Sequence, residues 1–169
     1  MKYFILIILS INLYCKSTIY YIEKYSNKYK VDMRIIQSLI KKESNGKLNA
    51  VSKMNAQGLG QIMLETARDY YKDLKKNSDK SKIREYYTSV IMLNDKLLAY
   101  HIKNEKRNIA ITCWNIRRCL NYYRKKYKRN YDNYIFAINS HINGCNGSWN
   151  GKFSFNYVNS IINNVINFK

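Results

Sequence analysis

Of the eleven acidic residues in this chain, one stands where a carboxylate is poorly placed for stability and well placed for proton transfer. Glu43 follows an apolar stripe of Val31, Ile35, Ile36, Leu39 and Ile40, whose spacing predicts a helix with Asp32 as its N-cap or in its first turn. That helix carries Glu43 at its C-terminal end, where the free carbonyls and the dipole are negative and the protonated carboxyl is favoured. A general acid needs that form. Behind it come Ser44-Asn45-Gly46, Asn49-Ala50-Val51-Ser52 and Ala56-Gln57-Gly58-Leu59-Gly60-Gln61. This is turn chemistry, with glycines where a backbone must bend or approach a ligand closely. A second helix is expected from Leu64, with Glu65 in its first turn.

The remaining reactive residue types are scattered. Cys15, Cys113, Cys119 and Cys145 contain no Cys-x-x-Cys, and His101 and His141 stand alone, so the sequence carries no metal signature and no cofactor is expected. Cys113 and Cys119 fall on one predicted helix but on different faces, so a bridge would join one of them to Cys145.

Across residues 31–67 the order of residues resembles the lytic transglycosylase family of the soluble-lytic-transglycosylase (SLT) type, which is goose-lysozyme-like. Val31-Asp32, Glu43-Ser44, Ala50-Val51-Ser52, Ala56, Gly58-Leu59, Gln61, Met63 and Thr66-Ala67 stand in register with the family's first motif without a gap. Met33 and Leu64 replace prolines, and Gly60 replaces a methionine. A second, weaker match is Asn108-Ile109, Ile111, Trp114 and Ile116, where Thr112 stands for a glycine and Asn115 for a tyrosine; read alone, these are a buried helical stripe. The third motif falls on 134–145 in one of two registers. Anchored on Ala137 and Gly144, His141 replaces the family's tyrosine; anchored on Asn143, Ile142 replaces it. The first is preferred because it keeps a polar ring able to hydrogen-bond the glutamate. The stretch from Phe155 resembles the closing helix of relatives, so the resemblance spans 19–162.

The resemblance implies a mainly α, lysozyme-like single helical domain with a catalytic groove. It implies that Glu43 protonates the glycosidic oxygen between N-acetylmuramic acid and N-acetylglucosamine, then takes the proton of the muramic 6-hydroxyl, leaving a 1,6-anhydro ring. No acidic residue lies between Glu43 and Glu65, whereas ordinary glycosidases use two carboxylates. A one-acid site must borrow its second group from the substrate, here the sugar's acetamido oxygen. By the same carry-over Ser44 and Gln61 orient the glutamate or the substrate amide, the 58–61 backbone with Gly58 and Leu59 lines the groove, Met63 forms its apolar wall, and His141 and Asn143 bind substrate. Two rivals remain open: a hydrolytic muramidase on the same fold, and a peptidoglycan-binding module that no longer cuts.

The elements that must position these residues follow from helical periodicity over 19–30, 64–74, 83–102, 108–123 and the stretch after 153. A length of 169 residues suits one domain. Lys2 and the apolar run from Phe4 to Leu9 suit a signal-peptide core, so residues 1–16 are expected to be a leader or anchor and 17–169 the domain, exported to the periplasm or cell envelope. Lipidation at Cys15 and uncleaved retention of the segment as a membrane anchor are the alternatives. The net charge of +19 draws polyanions. Peptidoglycan strands are the expected partner, within a cell-envelope or secretion-system complex in some settings. Nucleic acid is not expected, and the basic run 117–129 reads as a solvated helix face.

Overall fold

The computed structural model describes residues 16–144 and 153–167, so the leader and Cys145 lie outside the described residues. Among the described residues eight helices follow in order: α1 Lys16–Tyr29, α2 Met33–Ser44, α3 Leu64–Lys76, α4 Ser81–Ile91, α5 Asp95–Ile102, α6 Glu105–Tyr127, α7 Tyr134–Asn143 and α8 Phe155–Asn167. The mainly α fold expected from the sequence is present.

Helix α6 is the axis. Every residue from Asn108 to Ile116 is buried, which happens only when neighbours cover a helix on all sides. Helices α1, α3, α5 and α7 all pack on it, and Ile109, Ile111, Ile116 and Leu120 lose all solvent contact. Helix α2 packs on α1 and α8 instead, through Ile35, Ile36, Leu39 and Ile40. Its apolar stripe joins the same buried core as that of the axis helix, and its C-terminal end opens into the long 45–63 connection.

One expectation needs correction. Periodicity over 83–102 predicts one helix; the chain makes two, α4 and α5, with Met92, Leu93 and Asn94 between them. Asn94 caps α5 by accepting from the Leu97 amide at 3.0 Å. Arg68 of α3 satisfies the carbonyls that the break frees, donating to Ile91 and Leu93 and pairing with Asp95 at 2.8 Å. The basic run is a solvated face at Lys125, Lys126, Lys128 and Arg129, which are exposed, while its earlier arginines are tied down. Arg117 donates to the Tyr29 carbonyl at 2.8 Å and pairs with Asp132 at 3.1 Å, which also holds Arg124 at 2.8 Å.

Of the cysteines in α6, Cys119 is disulfide-bonded and Cys113 is a free, buried thiol. Burial pushes the Cys113 thiol up to about 12, which keeps it out of thiolate chemistry.

Candidate functional site

Glu43 is the penultimate residue of α2. Asp32 starts that helix as its N-cap, accepting from the Arg34 amide at 2.9 Å. Asn45 ends it in the left-handed conformation, φ +51°, with its N–H on the Lys41 carbonyl at 3.0 Å. The chain then turns through Gly46 (φ +76°). Glu43 is half-buried and, among the described residues, forms no ion pair and has one hydrogen-bond partner. The Tyr157 hydroxyl of α8 donates to its Oε1. Burial first, then the negative charge of Glu43, raises the Tyr157 hydroxyl well above the ordinary phenol range, so it stays a donor. Oε2 has no described protein partner.

The ring that reaches the glutamate is thus Tyr157 and not His141. Helix α8 lies along α2, burying Val158 and Ile161, and this packing sets the phenol one position before Val158 against the end of α2. Little in the sequence could have singled it out, with seventeen tyrosines in the chain.

The loop after α2 is tied by its own backbone and by α6. Gln57 and Ile62 exchange both N–H···O bonds at 2.9 Å, and the Gly58 N–H reaches the Ala50 carbonyl at 2.8 Å. Asn108, fully buried in the first turns of α6, donates to the carbonyls of Gln57 (2.9 Å) and Ile102 (3.1 Å) and accepts from the Gly60 amide (2.8 Å). One side-chain amide thereby ties three backbone groups together, serving the Gln57 carbonyl as a second donor beside the Ile62 N–H.

The same packing explains two departures from the family pattern as one change. A Cβ built on Gly60 would stand 2.0 Å from Thr112 Oγ1, and that hydroxyl is itself fixed on the Asn108 carbonyl at 2.9 Å. Position 60 has lost its side chain where position 112 has gained one.

His141 closes the loop from the other side. Its Nε2 lies 2.9 Å from the Gly60 carbonyl and its Nδ1 3.3 Å from Asn115 Nδ2. A carbonyl only accepts, so the partners assign the proton to Nε2 and leave Nδ1 to accept from the Asn115 amide. Asn115 Oδ1 in turn accepts from Arg118 Nη2 at 3.0 Å. Arg118 also pairs with Asp69 at 3.0 Å and lies over the Trp114 ring at 4.7 Å. A directed chain therefore runs from Arg118 through Asn115 and His141 to the backbone of the loop.

The other expected site residues are placed as follows. Ser44 is buried and donates to the Ile40 carbonyl at 3.1 Å, so its hydroxyl serves its own helix and does not orient Glu43. Gln61, at φ +48°, donates to the Gly58 carbonyl at 2.9 Å and the Ala50 carbonyl at 3.3 Å. Leu59 turns its side chain into the core, and Met63, just before α3, is partly exposed. Asn143 donates to the Asn139 carbonyl at 3.2 Å, and Gly144 ends α7 at φ +74°. Glu65 is exposed in the first turn of α3. Among the described residues no three His, Cys, Asp or Glu side chains converge as a metal site requires.

One half-buried carboxyl with a free oxygen, one phenol donor and a pinned glycine-containing loop can protonate a leaving oxygen and then receive a proton back. Compared with known families, the chain matches the transglycosylase SLT domain over residues 20–152. No curated protein matches it significantly.

Proposed function

The chain belongs to the transglycosylase SLT family, and on that premise we propose that Glu43 cleaves the β-1,4 bond between N-acetylmuramic acid and N-acetylglucosamine without water, leaving a 1,6-anhydro end. Peptidoglycan is the substrate class that the family acts on. Glu43, as general acid, gives its proton to the departing oxygen while the substrate's acetamido oxygen supports the cationic anomeric carbon. As general base it then accepts the proton of the muramic 6-hydroxyl, whose oxygen closes the ring. The proton returns to the same carboxyl, so the cycle consumes no water.

The observation that carries this reading is the Tyr157 hydrogen bond to Glu43. A phenol donor on one oxygen supports the carboxylate left after the first transfer and fixes its orientation, leaving Oε2 to face the substrate. Ser44, whose hydroxyl is spent on α2, has at most an indirect part. The loop residues Gly58, Leu59 and Gln61 contribute backbone held by Asn108 and His141, with Met63 and Asn143 at its margins. The domain 17–169, exported behind the 1–16 leader, would meet its substrate in the periplasm or cell envelope. Among the described residues no helix is long and apolar enough to cross a membrane.

The test is mass spectrometry of purified peptidoglycan after incubation with the protein and with its Glu43→Gln variant. Anhydro-muropeptides from the first and none from the second are expected. Reducing ends would instead make the protein a muramidase, and binding without products a non-catalytic module.

A further inference from the structure

Lined by none of the residues around Glu43, an open cleft of about 410 Å³ lies between the C-terminal half of α1, helices α3 and α4 and the first turns of α6, within the roughly 300–1,000 Å³ of small-ligand sites. Every charged residue in its wall is a cation: Lys28 from α1, Lys106 and Arg107 from α6. None of the three forms an ion pair among the described residues. The acid at this end of α6, Glu105, is engaged by the Thr18 hydroxyl and is not part of the wall. The N-terminus of a 23-residue helix adds the positive end of its dipole. Like charges gathered around one concave space repel each other and concentrate a positive potential there. Its effect reaches His101 next door, whose ring burial first and Arg107 second push down to about 4.

The rest of the wall is aromatic. Tyr86 and Tyr87 have ring centroids 5.5 Å apart, and Tyr71 lies 6.1 Å from Tyr87; Tyr25 and Tyr70 continue the wall inward. The Tyr70 hydroxyl accepts from Tyr29 and the Tyr71 hydroxyl is within 3.0 Å of His101. The hydroxyls of Tyr25, Tyr86 and Tyr87 have no partner among the described residues. Flat phenol faces suit the C–H face of a pyranose, and free phenol hydroxyls suit its hydroxyl groups.

We propose that this cavity is a second binding site, for an anionic saccharide: a sugar bearing a carboxylate or a phosphate, its negative group among Lys28, Lys106 and Arg107 and its ring against the tyrosines. Arg107 lines this cavity, while its neighbour Asn108 holds the loop at Gly60. The two sites therefore lie on different sides of the same helical turn. A protein gripping one glycan here presents its other side to a second. The inference does not depend on Glu43 being catalytic.

The test uses the full chain carrying Glu43→Gln, so that no probe is cleaved, and follows binding by calorimetry and by the arginine Nε and tyrosine ring resonances. The probes are N-acetylglucosamine 1-phosphate, N-acetylmuramyl dipeptide and neutral chitotriose. At least one anionic probe is expected to bind saturably and shift Arg107, Tyr86 and Tyr87, and which one does so identifies phosphate or carboxylate as the group recognised. Chitotriose is expected to leave those signals unmoved. Adding Lys28→Gln and Lys106→Gln, both solvent-exposed changes, is expected to weaken binding about tenfold with an unchanged circular dichroism spectrum. Absence of saturable binding by either anionic sugar, equal shifts from chitotriose, or unaltered affinity in the lysine variant would each overturn the proposal.

Discussion

Helix α2 carries a carboxylate at each end, and the two are treated in opposite ways. Asp32, at the N-terminus, is surrounded by donors: the Arg34 amide at 2.9 Å, Arg34 Nε at 3.2 Å and Arg34 Nη2 at 2.7 Å. The Arg34 side chain, against the opposing effect of partial burial, holds its carboxyl below the usual range. Glu43, at the C-terminus, has a single described donor, Tyr157, and one oxygen without a partner. The helix dipole favours the charge of the first. The same functional group, eleven positions along one helix, is tied into the structure where donors crowd it and keeps an oxygen without a described partner where they are withheld.

The largest effect that could break this contrast is on activity. Glu43→Gln is expected to lower turnover of purified peptidoglycan by about 10²–10⁴-fold and to leave the urea midpoint nearly unchanged. A variant that keeps most of its activity would show that Glu43 is not the acid. Tyr157→Phe removes the one donor, and a charge-assisted hydrogen bond of that kind corresponds to about 10- to 100-fold in kcat; steady-state kinetics with an unaltered KM would place its action on the carboxyl and not on binding.

The loop that faces this helix end gives the next test. Gly60→Ala forces a Cβ onto Thr112 Oγ1, and overpacking of this kind costs about 1–3 kcal/mol. Thr112→Ala in the same chain is expected to restore much of that loss, and a double-mutant cycle by denaturant unfolding reads the coupling. Additive effects would mean that positions 60 and 112 are not exchanging volume.

The smallest effect lies at the structural end. Asp32→Ala removes an N-cap worth ~1 kcal/mol and is expected to leave catalysis intact. Because the folded Asp32 carboxyl is held below its unfolded value, its contribution to stability is present above about pH 4. It fades as pH falls through the lower folded value, so native and Asp32→Ala unfolding curves are expected to converge in acid. Equal stabilities at pH 6 would erase the contrast with Glu43.

The fold was legible wherever the signal was periodic. The stripe of α2, its cap and the position of Glu43 follow from 3.6-residue spacing and one aspartate, since local geometry decides which face a side chain shares. The break at 92–94 was not legible, because Met92 and Leu93 continue the apolar pattern and only Arg68, twenty-odd residues earlier, satisfies the carbonyls that the break exposes. Asn108 showed itself as part of a motif but not as the clamp of the loop. Its three partners lie at Gln57, Gly60 and Ile102, and no spacing in the sequence joins them.

By itself, then, the sequence determined most of the helices, the family and the single carboxyl at the end of α2, because these rest on residue order and near-neighbour geometry. Tertiary structure alone decided which side chain attends that carboxyl. Several polar rings follow α6, Tyr131, Tyr134, His141 and Tyr157 among them, and the packing of α8 along α2 gave the glutamate to Tyr157, while the Arg118–Asn115 chain turned His141 onto the Gly60 carbonyl. It decided too that Gly60 and Thr112 share one space. Contacts between residues fifty to more than a hundred positions apart depend on how helices pack, and packing leaves no periodic mark on the chain.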